Sequence, residues 1–294
     1  MFRRKSVPSG TWIFTDHERL SGLQLRRAAQ IATCLKNGGA RVLNHPALVR
    51  SRYEILRRFE EAGINQFSVL RCDSNPEPSR FPVFVRNSYD HNSTKIALID
   101  CQKDLDAAIQ EMERCGISLD GKLVIVYSSE ELIPGVWTRL SSYCIAGQVI
   151  AHHMAFDDSW IVKDGFDKER LEAHPYKEHF VALEREFVCN NGYNDVLEKA
   201  FAIARIDYGR ADCSIVNNQL QIYEINTNPN HGNEQQVLEG AHPDRRATQK
   251  LSEDKLQAMI ANLNTASGDD ILIGERWLKT IARPYWRRIR GVFR

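Results

Sequence analysis

The sequence predicts an α+β fold, and three observations support this prediction. Helical segments and short apolar segments of strand character interleave without the strict βαβ order of one doubly wound parallel sheet. Two stretches, around Gly147 and around Asn217-Asn218, have the pattern of antiparallel hairpins. The 294 residues, 43% of them hydrophobic, are enough for one large or two modest domains.

The overall composition narrows the class of protein. A formal net charge of +1 argues against electrostatic binding of nucleic acid by the whole molecule. The seven cysteines are scattered and contain no C-x-x-C pair, which is typical of reduced thiols rather than of disulfides or a zinc site. No apolar run approaches the ~18–20 residues that span a bilayer, and the start "MFRRKSVPSG" lacks an apolar signal core. We therefore expect a soluble, cytoplasmic protein that does not bind nucleic acid.

The first segments predict one small βαβ unit. "TWIFTD" (11–16) has the character of a short strand, and "ARVLN" (40–44) that of a second one. The helix between them ends at Gly38-Gly39, and the apolar residues on its inner face are Leu23, Ala28, Ile31 and Leu35. A second helix follows, with Ser51 as its N-cap and Gly63 at its end, and its apolar side consists of Ile55, Leu56 and Phe59.

The later segments complete the α+β pattern. We expect a strand in "FPVFVRN" opened by Pro82, a helix over 104–115 and a buried strand in "KLVIVYS" (122–128). A hairpin over 136–155 and a helical stretch over 175–206 precede the hairpin that contains "LQIYEIN" (220–226).

That last strand carries polar residues at alternate positions. In an extended chain Ile222, Glu224 and Asn226 share one face, while Tyr223 and Ile225 share the other. Burying a carboxylate and an amide without partners costs roughly several kcal/mol of free energy. This face therefore needs water, hydrogen bonds or a cation.

Asp212 on the preceding strand is a candidate to join this face. A two-residue loop at 217–218 would pair it with Tyr223, on the wrong face. A three-residue loop, either 216–218 or 217–219, would place it opposite Ile222 or Glu224 and complete a cluster of hard oxygen donors that suits Mg²⁺. The alternative is that Glu224 and Asn226 are solvated edge residues followed by an ordinary Asn228-Pro229 turn.

The segment "EIN-x-x-P", preceded by an Asp at this spacing, resembles the metal-binding end of the ATP-grasp superfamily, which contains carboxylate–amine ligases. Further sequence segments that resemble those of the superfamily occur, in its typical order, over residues 44–230. The resemblance implies two α+β lobes that enclose a nucleotide, preceded by a shortened βαβ unit. The implied domains are the front unit at 1–48, an N-terminal lobe at 49–126, a C-terminal lobe with the metal site at 127–262 and a basic tail at 263–294.

The resemblance also implies roles for individual residues. Arg52 and Arg86 stand where the family has phosphate-binding lysines, and His91 follows in a loop that covers the phosphates. The strand that links the lobes would bind adenine through Val126, Tyr127 and Ser128, with Glu130 or Glu131 on the ribose. Arg139 and Lys163 would meet the triphosphate, with Arg139 and Arg86 as the catalytic cations. Mg²⁺, or Mn²⁺ in its place, would be held by Asp212, Glu224 and Asn226.

The implied function is an ATP- and Mg²⁺-dependent ligase. A substrate carboxylate would be activated as an acyl phosphate and attacked by a small-molecule amine, or by a thiol. The glycine-free segment "NSYDHNSTK" (87–95) departs from the family, in which a small mobile loop is common there. Two alternatives remain: a kinase of the same fold that phosphorylates a hydroxyl, and a nucleotide-binding module without turnover.

Several other residues have two interpretations. Arg52 is also compatible with a surface position, and Glu130 and Glu131 with simple solvation. His152 and His153 are adjacent on a strand, so they are expected to face opposite ways and not to share one metal ion. The loop 16–18 suits either a substrate cleft or a helix cap. The tail from Arg276 to Arg294 carries seven Arg or Lys and no acid, which suits an anionic surface or partner, packing on the body, or a solvated end.

Overall fold

The computed structural model describes residues 6–88, 96–229, 241–263 and 270–272. Within these ranges the fold is α+β, as the sequence predicts. The front unit contains strand β1 (Ser6–Val7), strand β2 (Thr11–Ile13), helix α1 (Gly22–Asn37) and strand β3 (Arg41–Leu43). Strands β2 and β3 are parallel, which gives the expected βαβ unit.

Helix α1 begins at Ser21, which forms a capping box with Gln24. The predicted inner face is correct at Ala28, Ile31 and Leu35, but Leu23, in the first turn, is exposed.

The next unit consists of two helices and a small three-stranded sheet. Helix α2 (Arg52–Glu61) is followed by strand β4 (Val69–Arg71), strand β5 (Val83–Asn87), helix α3 (Gln102–Arg114) and strand β6 (Lys122–Val126). The antiparallel sheet has the order β4-β6-β5. Ser51 caps α2 in a capping box with Glu54, and the helix buries Ile55, Leu56 and Phe59 as predicted.

The third unit is a larger antiparallel sheet. Its strands are β7 (Glu131–Ile133), β8 (Val136–Ile145), β9 (Gln148–Asp157), β10 (Tyr208–Val216) and β11 (Gln219–Asn226). Strand β8 pairs with β9 on one side and with β10 on the other, and β10 pairs with the edge strand β11. The predicted hairpin around Gly147 is therefore confirmed as β8 and β9.

The remaining helices pack around this sheet. They are α4 (Lys168–Ala173), α5 (Lys177–Asn190), α6 (Asn194–Ala204) and α7 (Arg246–Ala261). A final strand, β12 (Ile271–Leu272), pairs with β1, and Ile271 packs with Val7, Ile31 and Leu35. Most of the predicted basic tail lies outside the described residues.

Two buried asparagines join the units. Asn44, with a positive φ of 54°, accepts hydrogen bonds from the backbone N–H groups of Asp207 and Tyr208 and donates one to the Tyr208 carbonyl. Asn65 accepts from the N–H of Ile222 and donates to its carbonyl, at 2.8 and 2.9 Å. Asn44 thus satisfies backbone groups at the start of β10, and Asn65 satisfies those of Ile222 in the edge strand β11.

All seven cysteines are free thiols. Among the described helices, none combines the length and the apolar character needed to cross a bilayer.

Candidate active site

A β-bulge sets the geometry of the β10–β11 hairpin. The turn has two residues, Asn217 and Asn218, both with positive φ, and Val216 pairs with Gln219. The register then shifts, so that Cys213 pairs with Ile222 but Asp212 pairs with Glu224, leaving Tyr223 as the extra residue. The two-residue loop, which without a bulge would misplace Asp212, is therefore compatible with Asp212 opposite Glu224.

The bulge also divides the strand between two faces. Ile222 is fully buried beside Cys213 in the core, so it does not share a face with Glu224 as the sequence pattern predicts. The residues that pair across neighbouring strands share one face. On that basis, one face of the sheet carries Arg139, Ser141, His153, Arg210, Asp212, Glu224 and Asn226.

Glu224 accepts two guanidinium groups from the preceding unit. Its two carboxylate oxygens lie 2.7 Å from an Arg52 nitrogen and 2.8 Å from an Arg86 nitrogen, and the side chain is only 12% exposed. Burial acts to lower the pKa of Arg52, and the carboxylate of Glu224 opposes this effect. Arg52, Arg86 and Glu224 therefore form one largely buried cluster.

Two residues on the same face of the sheet, Arg210 and Ser141, contact the carboxylate of Asp212. The Arg210 guanidinium contacts its oxygens at 3.0 and 3.2 Å, and the Ser141 hydroxyl donates to it at 2.8 Å. Burial acts to lower the pKa of Arg210, but the charge and hydrogen bonds of Asp212, together with those of Tyr143, outweigh it and the pKa is raised. Burial has the opposite effect on the phenol of the neighbouring Tyr143 and raises its pKa to about 12.

A cavity of about 510 Å³ lies against this polar face. Its charged walls carry four cations and three acids: Arg86, Arg139, Lys163 and Arg210 with Asp164, Asp212 and Glu224. The Nε atoms of Arg86 and Arg139 are buried and have no hydrogen-bond partner among the described residues. Buried donors of this kind are normally satisfied, so the cavity is suited to an anion that accepts from them.

One wall of the same cavity is aromatic. Trp160 contacts Phe84 and Tyr127, with ring centroids 5.2 and 5.3 Å apart. Tyr127 follows strand β6, and its N–H donates to the Pro82 carbonyl, while the Val126 N–H donates to that of Ser68. These two backbone N–H groups are therefore already used within the protein. A planar base in this part of the cavity would contact the aromatic rings and Ser128 instead.

The predicted site residues are distributed as follows. Those that line this cavity are Arg86, Val126, Tyr127, Ser128, Arg139, Lys163, Asp212, Glu224 and Asn226. Arg52 lies behind Glu224 and lines a neighbouring cavity. Glu130 and Glu131 lie away from both, because the first accepts the Asn217 N–H of the hairpin turn and the second the Gly135 N–H of another turn. His91 is outside the described residues.

The donor chemistry fits a hard cation. Asp212, Glu224 and Asn226 present carboxylate and amide oxygens on one face, and Asn226 Oδ1 accepts only the Asn228 N–H in the described part of the chain. Each carboxylate oxygen already contacts an arginine, so a bound Mg²⁺ would have to share or replace these contacts. Over the described ranges, no group of three or more His, Cys, Asp or Glu is arranged to hold a metal ion; the set described here has two carboxylates, and its third member is the Asn226 amide.

A second bulge corrects the prediction for His152 and His153. Ser141 pairs with His153 but Ser142 pairs with Ala151, so His152 is an extra residue in β9. The two rings consequently lie on the same side, with their Nδ1 atoms 2.7 Å apart. Burial, and then the proximity of His152 and three arginines, keeps the pKa of His153 well below its ordinary value.

Sequence reasoning missed Arg210 and Trp160, which line the cavity, and Ser141, which donates a hydrogen bond to Asp212. Arg210 had a usable signal, since it stands two positions before Asp212 and therefore shares its face. Ser141 and Trp160 come from a strand and a loop whose positions depend on tertiary packing.

No family model matches the sequence, and no curated protein matches it. Solved structures do, and these neighbours are ATP-grasp ligases of low identity. The ATP-grasp ligase PsnB, complexed with a phosphomimetic variant of its minimal precursor, Mg and ADP, is 14% identical with a TM-score of 0.45. That match covers 80% of this chain and 66% of the other, so the chain spans about two thirds of the length of PsnB.

Two further structures give similar values. D-alanine–D-alanine ligase from Bacillus anthracis is 13% identical, with a TM-score of 0.41 over 83% of this chain and 80% of its own. A RimK-domain ATP-grasp protein from Sphaerobacter thermophilus is 14% identical, with a TM-score of 0.43 over 81% of this chain and 76% of its own. The likeness concerns the course of the backbone, whereas chemistry depends on the side chains described above.

Proposed function

We propose that the protein is an ATP- and Mg²⁺-dependent ligase of ATP-grasp type that joins a carboxylate to an amine or a similar nucleophile. One observation supports this most directly. Asp212, Glu224 and Asn226 share a face with Arg139 and Arg210 at a single cavity of about 510 Å³. Oxygen ligands for a hard cation and cations for phosphate are thus brought together beside an aromatic wall.

The cavity has the two ends that a nucleotide requires. The aromatic surface of Phe84, Tyr127 and Trp160 suits a base, and the basic end suits a triphosphate. Bound Mg²⁺ would neutralise phosphate charge and polarise the γ-phosphoryl group. Asp212, Glu224 and Asn226 would hold it, and ATP would arrive with its phosphates toward Arg86 and Arg139.

The reaction would proceed in two transfers. A carboxylate oxygen of the acid attacks the γ-phosphorus, forming an acyl phosphate as ADP leaves. The amine then attacks the acyl carbon, inorganic phosphate leaves, and the amine gives up a proton. The protein's side chains position the reactants and offset their negative charge, with Arg86, Arg139 and Arg210 as the fixed cations.

Thermal protection by ATP tests the site. ATP with Mg²⁺ should raise the Tm of the wild-type protein, and Asp212→Asn and Glu224→Gln should each abolish the Mg²⁺-dependent part of that shift. Asp158→Asn and Glu131→Gln are matched controls, because both acids lie outside the cavity and should leave the shift unchanged. If both site variants retain full protection, the metal assignment is wrong.

ADP release identifies the reaction class. A ligase should release ADP over many turnovers only when both an acid and an amine are present, with at most about one equivalent formed from the acid alone, and mass spectrometry should find the condensed product. ADP release that depends on an alcohol alone would indicate a kinase instead.

Binding without turnover is the second candidate. It is favoured by the arginine contacts on both carboxylates, which leave each oxygen of Asp212 and Glu224 with a partner before any ligand binds. Tight ATP binding with no ADP formed in any mixture of acids, amines and alcohols would support it.

A further inference from the structure

A second cavity of about 400 Å³ adjoins the first across the Arg52–Glu224 ion pair. Glu224 and Tyr223 line both cavities, whereas Arg52 lines only the second. The other walls include the loop before helix α1, the first turn of α2, Ser88 directly after β5 and the start of β6. A molecule in the second cavity would therefore lie next to the phosphate-binding end of the first.

One of the residues that line this cavity, His17, is a buried polar side chain. The residue is only 4% exposed, and neither of its ring nitrogens makes a hydrogen bond of ordinary geometry among the described residues, although a backbone group of Asn44 lies near enough to act on its pKa. Buried polar side chains are normally satisfied, and an unsatisfied one costs free energy unless a ligand or water completes it. The imidazole is thus a buried hydrogen-bonding group in the wall of this cavity.

The position of His17 is fixed by its neighbours. Asp16 has a positive φ of 54°, its N–H donates to the Thr227 hydroxyl at 3.2 Å, and its carboxylate accepts from the Asn228 amide at 2.8 Å. The loop is therefore tied to the residues that directly follow the Glu224–Asn226 segment.

The electrostatics of the second cavity differ from those of the first. Its charged walls balance, with four cations and four acids: Arg50, Arg52, Arg71 and Lys122 with Glu18, Glu54, Asp120 and Glu224. This balance does not favour a polyphosphate, but the walls can accommodate a small polar molecule without net repulsion. Burial lowers the pKa of His17, against the opposing effects of the Glu18 charge, a backbone contact with Asn44 and the Asp16 charge. A neutral imidazole offers one donor and one acceptor, and it suits a hydroxyl, amino or amide group.

We propose that this cavity binds the acid substrate, with its carboxylate toward the Arg52–Glu224 pair and its body toward His17. His17 would then select acids that carry a hydrogen-bonding group over acids of the same shape with an alkyl group. This inference rests on the proposed ligase function and specifies the class of its acid: a small polar carboxylic acid.

Matched pairs of acids test the selection. ADP release would be measured with malate against succinate, serine against alanine and lactate against propionate, each with a common set of amines. At least one polar member should exceed its alkyl partner in kcat/KM by roughly 10- to 100-fold, because a site built for a hydrogen bond rejects the analogue that lacks it. His17→Leu should remove that preference, and His17→Gln should restore part of it.

Binding measurements separate this inference from the function on which it rests. The acid that the wild type prefers should raise its Tm in the absence of ATP, and His17→Leu should lose this shift while keeping the shift from ATP and Mg²⁺. His179→Leu is the control, since His179 is an exposed residue of α5 and should change neither shift. Leucine at position 17 should not impair folding, because it removes an unsatisfied buried polar group.

The contrary results are distinct. If no acid shifts the Tm, if the wild type shows no preference, or if His17→Leu keeps it, the second cavity is not the acid site. In that case ATP protection that still depends on Asp212 and Glu224 leaves the proposed nucleotide site intact. Loss of that dependence would instead overturn the proposed function.

Discussion

Arg52 and Glu224 form an ion pair of 2.7 Å that joins the first residue of helix α2 to the edge strand β11. Arg86 adds a second contact to the same carboxylate, at 2.8 Å. A carboxylate between two guanidinium groups is well compensated, but any cation that binds it must compete with them. The pair therefore connects the packing of two units to the binding of metal and phosphate.

A double-mutant cycle tests the strength of this connection. Arg52→Met and Glu224→Gln, made singly and together, should give a coupling free energy of about 1–3 kcal/mol in urea unfolding, because both side chains are largely buried. The Arg114–Glu111 pair on α3 is a suitable control, since its atoms are as close but both side chains are exposed, and its coupling should not be measurable. Equal coupling in the two cycles would show that burial of the Arg52 pair adds nothing.

Arg139 is expected to act on phosphate rather than on the base. Its buried Nε has no partner among the described residues, and its NH1 group donates only weakly, at 3.3 Å, to the Val162 carbonyl. Arg139→Ala should therefore weaken ATP by about 10- to 100-fold, which corresponds to the loss of one charge-assisted hydrogen bond or two.

Isothermal titration with adenosine, AMP and ATP measures this effect. Adenosine binding should be unchanged by Arg139→Ala, because the aromatic wall is untouched. Arg170→Ala is the control: that residue is exposed and pairs with Asp158 outside the cavity. Equal weakening of adenosine and ATP would place Arg139 near the base or in a purely structural role.

Asn65 is expected to hold the bulge that aligns Glu224 with Asp212. Its amide satisfies both backbone groups of Ile222, the residue directly before the bulged Tyr223. Asn65→Ala leaves a buried N–H and a buried C=O without partners, and should reduce the free energy of unfolding by about 2–4 kcal/mol.

The same substitution should affect the site at a distance. If the register of β11 depends on Asn65, Mg²⁺-dependent protection by ATP should fall even after allowance for the lower Tm of the variant. Gln66→Ala is the neighbouring control, because its side chain contacts Gln219 beside the turn and not the bulge. Full protection in the folded Asn65→Ala protein would show that the bulge is set by other contacts.

These contacts explain which parts of the structure were predictable from sequence. The start of α2 depends on Ser51 and Glu54, which lie within one turn, so local chemistry is sufficient. The turn at Asn217-Asn218 is local in the same way. The bulge at Tyr223 is not, because its backbone partner, Asn65, comes from 157 residues earlier in the chain.

The same distinction applies to the site residues. Glu130 lies in the expected polar segment, yet its carboxylate is used by the Asn217 N–H of the hairpin, a contact that only the tertiary fold creates. The proximity of His152 and His153 also depends on a bulge, and strand periodicity therefore gives the wrong answer there. Regular alternation predicts faces well only where the ladder is regular.

The buried histidine His153 makes a prediction about pH. Burial, His152 and the three nearby arginines Arg139, Arg210 and Arg245 hold its pKa well below the ordinary value of 6.5. The unfolded chain takes up a proton near that ordinary value, whereas the folded protein does so only at lower pH. Below pH ~6.5 the unfolded state therefore binds more protons, and folding stability declines as the pH falls.

Urea unfolding at pH 8, 7, 6 and 5 measures this contribution. Stability should be insensitive to His153 at pH 7–8 and should fall by up to about 1.4 kcal/mol per pH unit below pH 6.5 on its account. His153→Gln should flatten the slope by that amount relative to the wild type, and the exposed His179→Gln should not. Parallel pH profiles for the wild type and His153→Gln would show that His153 takes up its proton in the folded protein as readily as in the unfolded chain.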